Sequence, residues 1–221
     1  LSIAVGSANR SLTLWVLAAP PGASKGSKCA FKLDDTMQLA TPAPLNALCQ
    51  GKSATGQPLL YGGTSAGTVI CWDVATWQLK QSLSFPAHTH ECSGLVTFGA
   101  HNWLAAAYTD GTVKVWPHGA VLYDKTTTSH TSSIARGIAC ISYAEEREQI
   151  LVASARKIHI WNPVLAERVI TLNTHNDTLV HVSALPQFII SCDVAGVIHI
   201  TDALCYEHLQ TIDLLAGPIP L

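Results

Sequence analysis

A pattern that recurs about every 45 residues limits what this chain can fold into. Five segments share one layout, in which an apolar strand-like run, a turn of small residues and a second apolar run end in Trp or a substitute for it. These end positions are Trp15, Trp72, Trp116, Trp161 and Thr201, separated by 57, 44, 45 and 40 residues. A repeat of this length predicts equal structural units packed side by side.

The second run of each segment alternates in polarity. One residue before the Trp-type position stand Leu14, Cys71, Val115, Ile160 and Ile200, and three before it stand Leu12, Val69, Val113, Ile158 and Ile198. The residues between them are mostly polar: Thr13, Ile70, Lys114, His159 and His199. Because successive side chains of a β-strand point to opposite faces, each run is predicted to be a strand with one buried face. We therefore expect an all-β fold.

Turns and further strand-like runs complete each unit. Short turns such as Asp110-Gly111, Ala66-Gly67 and Ala195-Gly196 separate the two runs, and such turns are typical of β-hairpins. A third run follows the Trp-type position, and an apolar run leads into the next unit. Four antiparallel strands at this period predict the blade of a β-propeller.

The spacing divides the chain into about five blades. We predict a partial blade at 1–35 with a loop insertion at 18–28, blades at 36–86, 87–126, 127–173 and 174–215, and a further strand or tail at 216–221. An open propeller would expose unpaired apolar faces. We therefore expect a seven-bladed ring completed by sequence outside this chain or by a partner, with a five-bladed ring as the alternative.

These units resemble the WD40 repeat family. The resemblance is carried by Trp72-Asp73, Asp110-Gly111 with Trp116, Trp161-Asn162, Thr201-Asp202 and histidines in the loops upstream. It implies a network of a loop His, a Ser or Thr, the turn Asp and the Trp. In the middle unit the matching residues are His88, His90, Thr109, Asp110 and Trp116. Elsewhere Ala66, Arg156 or Ala195 replaces the turn Asp, so we expect those blades to depend on packing. The resemblance indicates a fold rather than a function.

Composition excludes several classes of protein. The 13 Lys and Arg residues are scattered against 15 Asp and Glu, which argues against a nucleic-acid-binding face. No window approaches the roughly 20 consecutive apolar residues of a membrane-spanning helix. The seven cysteines form no C-x-x-C pair, which favours reduced thiols and a cytoplasmic location.

Residues that could support chemistry are few. His88, His90 and Cys92 would face the same way on an extended chain and are zinc-ligand types. A fourth ligand is missing and the family places a structural His here, so no metal is predicted. Most carboxylates fall at strand ends and turns, and no nucleophile or phosphate-loop motif is present. We therefore expect no enzyme activity and no cofactor.

Binding is the remaining class of function. In WD40-like proteins, partners most often bind the loops that lead into the inner strands and the turns before the Trp. Here that face would carry Arg10, Met37, His130, Arg136, Arg156 and Lys157, and the arginines at 136 and 156 are favoured because Arg is enriched in interface hot spots.

We therefore predict a non-catalytic protein–protein interaction scaffold in a cytoplasmic multiprotein assembly. One alternative is a peptide-reading substrate receptor of the ubiquitin-ligase type. Another is a structural component of cilia or the axoneme, because residues 197–202 and 206–211 are similar to repeats in large WD-repeat proteins of cilia and flagella.

Overall fold

The computed structural model describes residues 2–7, 9–18, 32–53, 55–80, 88–99, 103–116, 130–133, 137–163 and 167–215. These residues form eighteen strands in five antiparallel sheets, with one short 3-10 helix at Glu145–Arg147. The predicted all-β fold is confirmed. No helix in the described part of the chain has the length and apolar character needed to cross a membrane.

The strands of each sheet are adjacent in chain order. The first sheet contains β1 (Ser2–Ser7), β2 (Ser11–Ala18) and β3 (Lys32–Ala40), and the second contains β4 (Leu45–Lys52), β5 (Pro58–Thr64) and β6 (Val69–Asp73). The third contains β7 (Cys92–Phe98), β8 (Trp103–Tyr108), β9 (Thr112–Trp116) and β10 (His130–Ser133). The fourth contains β11 (Ile138–Ala144), β12 (Gln149–Ser154), β13 (Lys157–Asn162) and β14 (Glu167–Asn173). The fifth contains β15 (Leu179–Ala184), β16 (Phe188–Asp193), β17 (Val197–Asp202) and β18 (His208–Asp213).

The sheets are arranged as successive propeller blades. Strand β4 contacts β7, β7 contacts β11, and β11 contacts β15. The first strands of neighbouring sheets therefore lie side by side, and the later strands of each sheet extend away from them. This is the β-propeller architecture that the repeat predicts.

The core lies between the sheets and is built in the same way at three junctions. The alternating apolar residues of one sheet cluster with the first strand of the next. The clusters contain Val69 and Cys71 with Cys92 and Leu95, Val113 and Val115 with Ile138 and Ile141, and Ile158 and Ile160 with Leu179 and Val182. At the equivalent positions of the fifth sheet, Ile198 and Ile200 are only half-buried, because no following sheet covers them in the described structure.

Two expected loop residues lie in strands. Met37 lies within β3 opposite Leu14, and His130 begins β10 opposite Val115. The first sheet therefore extends past residue 35, and the third sheet extends past residue 126. Strand β10 has the sequence His-Thr-Ser-Ser, so it has no apolar alternation and is joined to the sheet through backbone pairing with β9. Residues 19–28 of the expected insertion, Arg136 and the segment 216–221 lie outside the described residues.

Candidate functional site

Five hairpin turns mark one end of the propeller. They lie at residues 9–10, 65–67, 109–111, 155–156 and 194–196, where each joins the two strands that precede the Trp-type position. In the second to fifth sheets the turn joins the second and third strands, and in the first sheet the corresponding turn joins β1 and β2. These turns therefore lie at the same end of their sheets. We refer to these turns, with the loops that lead into the next sheets, as the turn face.

Backbone hydrogen bonds hold each of the five turns. In every case a backbone carbonyl of the turn accepts a hydrogen bond from a backbone N–H in the segment that follows the last strand of that sheet. The donor and acceptor pairs are Thr41 to Arg10 (2.9 Å), His88 to Gly67 (2.9 Å), Gly137 to Thr109 (3.1 Å), Leu179 to Ala155 (2.6 Å) and Leu214 to Gly196 (3.2 Å). Side chains on these turns therefore project from a backbone that is fixed at both sides.

Three of the predicted partner-binding residues lie on this face. Arg10 and Arg156 occupy turns, Lys157 begins β13, and all three are exposed. Within the described residues, none of the three pairs with a carboxylate. These side chains therefore present positive charge to the solvent.

A second feature of the turn face is a cluster around Asp110. His88 Nε2 lies 3.2 Å from Asp110 Oδ2, and His90 Nδ1 lies 3.6 Å from the same oxygen. Thr112 donates to this carboxylate from its backbone N–H (3.0 Å) and its hydroxyl (2.9 Å). Burial acts to raise the pKa of Asp110, but the hydrogen bonds from Thr112 and the nearby histidines outweigh it and hold the pKa below its usual value.

The cluster differs in membership from the predicted network. Thr109 is exposed, and it forms hydrogen bonds through its backbone, to Glu91 O (3.0 Å) and from the Gly137 N–H (3.1 Å). The hydroxyl that contacts Asp110 belongs to Thr112, two residues further along the chain. Trp116 is buried in the core between the second and third sheets, and the His88 ring packs edge-on against Tyr108 at 4.3 Å.

Side-chain spacing alone would allow a metal ion at this cluster. The ligand atoms of His88, His90 and Asp110 all lie within 4.8 Å of one another. However, the Thr89 N–H donates to His88 Nδ1 at 2.8 Å, which leaves the proton of a neutral ring on Nε2. Burial lowers the pKa of His88 despite the neighbouring carboxylate, which favours that neutral form. A protonated Nε2 has no lone pair for a metal, so the orientation of the His88 ring does not favour metal binding.

The fifth sheet contains a network that the sequence analysis missed. His175 Nδ1 lies 2.9 Å from Asp193 Oδ2, and His175 Nε2 lies 2.8 Å from Ser191 Oγ. Asp193 Oδ1 also accepts the N–H groups of Ala195 (3.1 Å) and Val197 (2.9 Å). The expectation that this blade depends on packing alone is therefore wrong. Asp193 lies two residues before Ala195, the residue that replaces the turn Asp. Ser191 and Asp193 lie on the same face of β16, and this alternation is the sequence signal that could have identified the network.

This network has the connectivity of a Ser–His–Asp hydrolase site, but its burial excludes that use. Ser191 has no exposed surface, and the side chains of His175 and Asp193 are 0% and 3% exposed. A nucleophile must reach its substrate, and Ser191 cannot. The network therefore anchors the loop that leads into β15 to the β16–β17 turn.

The two strand histidines at equivalent positions do not form a joint site. His159 Nδ1 lies 3.1 Å from Thr171 Oγ1 within the fourth sheet. His199 stacks on His175 at 4.2 Å in the fifth sheet. His159 therefore contacts a residue of its own sheet, and His199 contacts the loop before β15.

Comparison with known proteins agrees with this geometry. The family described as WD domain, G-beta repeat matches residues 79–117, the segment that contains the Asp110 cluster. No curated protein matches the chain. Among solved structures, the WD40 beta propeller domain of Doa1 is similar at 19% identity and a TM-score of 0.68, covering 95% of this chain. The chain spans 64% of the length of that structure. Residues 79–117 therefore match a WD40 repeat, and the chain as a whole has a β-propeller fold similar to that of a WD40 domain.

Proposed function

We propose that the chain is a non-catalytic scaffold that binds partner proteins through the turn face, within a cytoplasmic multiprotein assembly. The observation that carries this proposal is the exposed pair Arg156 and Lys157 on a turn whose backbone is fixed by the Leu179 N–H. Arg10 adds a further exposed cation on the turn of the first sheet. Arginine is enriched among residues that dominate interface affinity, and a fixed backbone reduces the entropy lost on binding.

The charge of these residues indicates the class of partner. Exposed cations that have no carboxylate partner in the described structure favour an acidic segment of another protein. The net charge of −2 and the scattered cations of the whole chain favour protein over nucleic acid. The six free cysteines in the described residues support a reducing compartment.

Affinity purification of the native full-length protein, with mass spectrometry of the retained proteins, tests this proposal. We expect stoichiometric partners to be retained in about 0.1 M salt and to be released in about 0.3 M salt, where exposed charge pairs are largely screened. The charge-reversal variant R156E/K157E should release at least one of these partners. The matched control K52E/R168E reverses two exposed cations that lie away from the turns, and it should retain all of them.

Two results would contradict the scaffold. The wild-type protein could be recovered alone, or R156E/K157E could retain the same partners as the control. A partner that is recovered only in trace amounts and is lost from R156E/K157E would instead indicate a peptide-reading receptor.

A further inference from the structure

A pocket of about 150 Å³ lies between the fourth and fifth sheets. It is bounded by the connection between β11 and β12 and by the connection between β15 and β16. In an antiparallel sheet these connections project from the end opposite to the turns at 155–156 and 194–196. The pocket is therefore separate from the turn face.

The floor and one wall of the pocket are apolar. Leu151, Ile189 and Ala203 form the buried part of the lining, and each is at most 3% exposed. Leu185 and Pro186 form the outer wall and are exposed, Leu185 at 44%. An apolar cavity of roughly 150 Å³ is large enough to hold one benzene ring, so this pocket can accept one Leu- or Phe-sized side chain.

The other wall carries negative charge. Glu145 and Glu146 belong to the 3-10 helix, are exposed, and take part in no ion pair within the described residues. The neighbouring Arg147 also lines the pocket, and its guanidinium lies over the Tyr206 ring at 5.9 Å, so the two carboxylates outnumber the one cation. Tyr206 is itself held by donating to Gln149 Oε1 at 3.0 Å. The mouth of the pocket therefore combines an apolar floor with two exposed carboxylates and one cation, which leaves this wall with a net negative charge.

We propose that this pocket binds a partner protein through a short peptide segment, in which one bulky apolar side chain is adjacent to Lys or Arg. The apolar side chain fills the cavity over Leu151 and Ile189. The cation lies against Glu145 and Glu146, where charge complementarity fixes the direction of the peptide. This site is independent of Arg156 and the turn face.

Selection from a random heptapeptide library displayed on phage, with the native full-length protein as the target, tests the proposal. We expect enriched peptides to carry Leu, Phe or Trp next to Lys or Arg. The strongest peptide, synthesised with a fluorescent label, should bind at least tenfold more weakly to E145Q/E146Q and to L185D by fluorescence anisotropy. These residues are exposed, so the substitutions leave the buried core intact.

Matched variants separate this site from the turn face. The control E167Q/D177N neutralises two exposed carboxylates elsewhere and should bind the peptide as the wild type does, and so should R156E/K157E. The proposal is overturned if no common motif is enriched, if the motif lacks a basic residue, or if E145Q/E146Q and L185D bind as tightly as the control. Loss of peptide binding in R156E/K157E alone would also overturn it.

Discussion

At the scale of single residues, Asp193 links the loop before β15 to the β16–β17 turn of the fifth sheet. Its carboxylate accepts from the His175 ring and from two backbone N–H groups of the β16–β17 turn. Burial acts to raise the pKa of Asp193, but these hydrogen bonds outweigh it and hold the pKa below its usual value. A lowered pKa means that the ionised form stabilises the folded state.

We expect Asp193→Asn to lower the free energy of unfolding by about 3 kcal/mol near pH 7, because it removes a buried charged acceptor from His175. The stabilisation is fully present above the ordinary carboxyl pKa of about 4 and is lost as the pH falls through the lower pKa of the folded state. The difference between wild type and variant should therefore be largest above about pH 5 and should shrink below about pH 4. Urea unfolding at a series of pH values measures it.

Asp177→Asn is the matched control for this prediction. Asp177 is an exposed carboxylate in the loop that contains His175, and its substitution should cost less than about 0.5 kcal/mol at every pH. An equal cost for the two variants, or a cost for Asp193→Asn that does not vary between pH 3 and pH 7, would contradict the structural role of the ionised network.

At the scale of the elements, the hairpin turns differ in how closely the following segment approaches them. Gly67 and Gly196 occupy corresponding turns and have similar φ angles of +74° and +79°. A Cβ atom at position 67 would overlap the carbonyl oxygen of His88, whereas at position 196 the nearest atom would be 3.7 Å away, at Leu215. The turn at 65–67 therefore requires glycine both for its positive φ and for the close approach of His88. The turn at 194–196 requires glycine only for its positive φ.

We expect Gly196→Ala to cost about 1 kcal/mol, because a residue with a Cβ is disfavoured at positive φ. Gly67→Ala should cost about 3 kcal/mol, because the overlap with His88 is added to the same backbone penalty. Thermal and urea unfolding of the two variants gives the difference. Equal costs would show that the contact between Gly67 and His88 is not tight.

At the scale of the whole molecule, the cores between sheets connect each blade to its neighbours. Cys71 of the second sheet and Cys92 of the third lie in one such core, and both are at most 1% exposed. Burial raises the pKa of each thiol to about 12. Cys205 lies in an exposed turn of the fifth sheet. The thiols therefore report separately on the surface and on the packing between blades.

We expect iodoacetamide at pH 8 to alkylate Cys205 in the native protein within minutes, while Cys71 and Cys92 react at least 100-fold more slowly. The two core thiols should react only when the second and third sheets separate, so their rates should rise together as urea is added. Peptide mapping by mass spectrometry follows each site. Rapid reaction of Cys92 without urea would contradict the packing between these sheets.

The strands with an alternating apolar face and the turns before the Trp-type positions could be predicted from the sequence. Strands β6, β9 and β13 lie where the alternation predicts them, because the side-chain direction in a strand is a local property of the backbone. The same regularity, repeated along the chain, determined the blades and the packing of Val113 and Ile158 into successive cores.

The contacts between polar groups and the position of the pocket depend on how distant segments of the chain pack together. The network of His175, Ser191 and Asp193 joins a loop to a strand sixteen and eighteen residues away, so its distances depend on how the loop packs. Strand β10 has no apolar residue and is placed by pairing with the edge of β9. The pocket beside Glu145 is lined by residues of two different sheets, such as Leu151 and Ile189. The alternation of apolar and polar residues describes the two faces of one strand. The His175 network, the position of β10 and the pocket depend instead on the relative positions of segments that are distant in sequence.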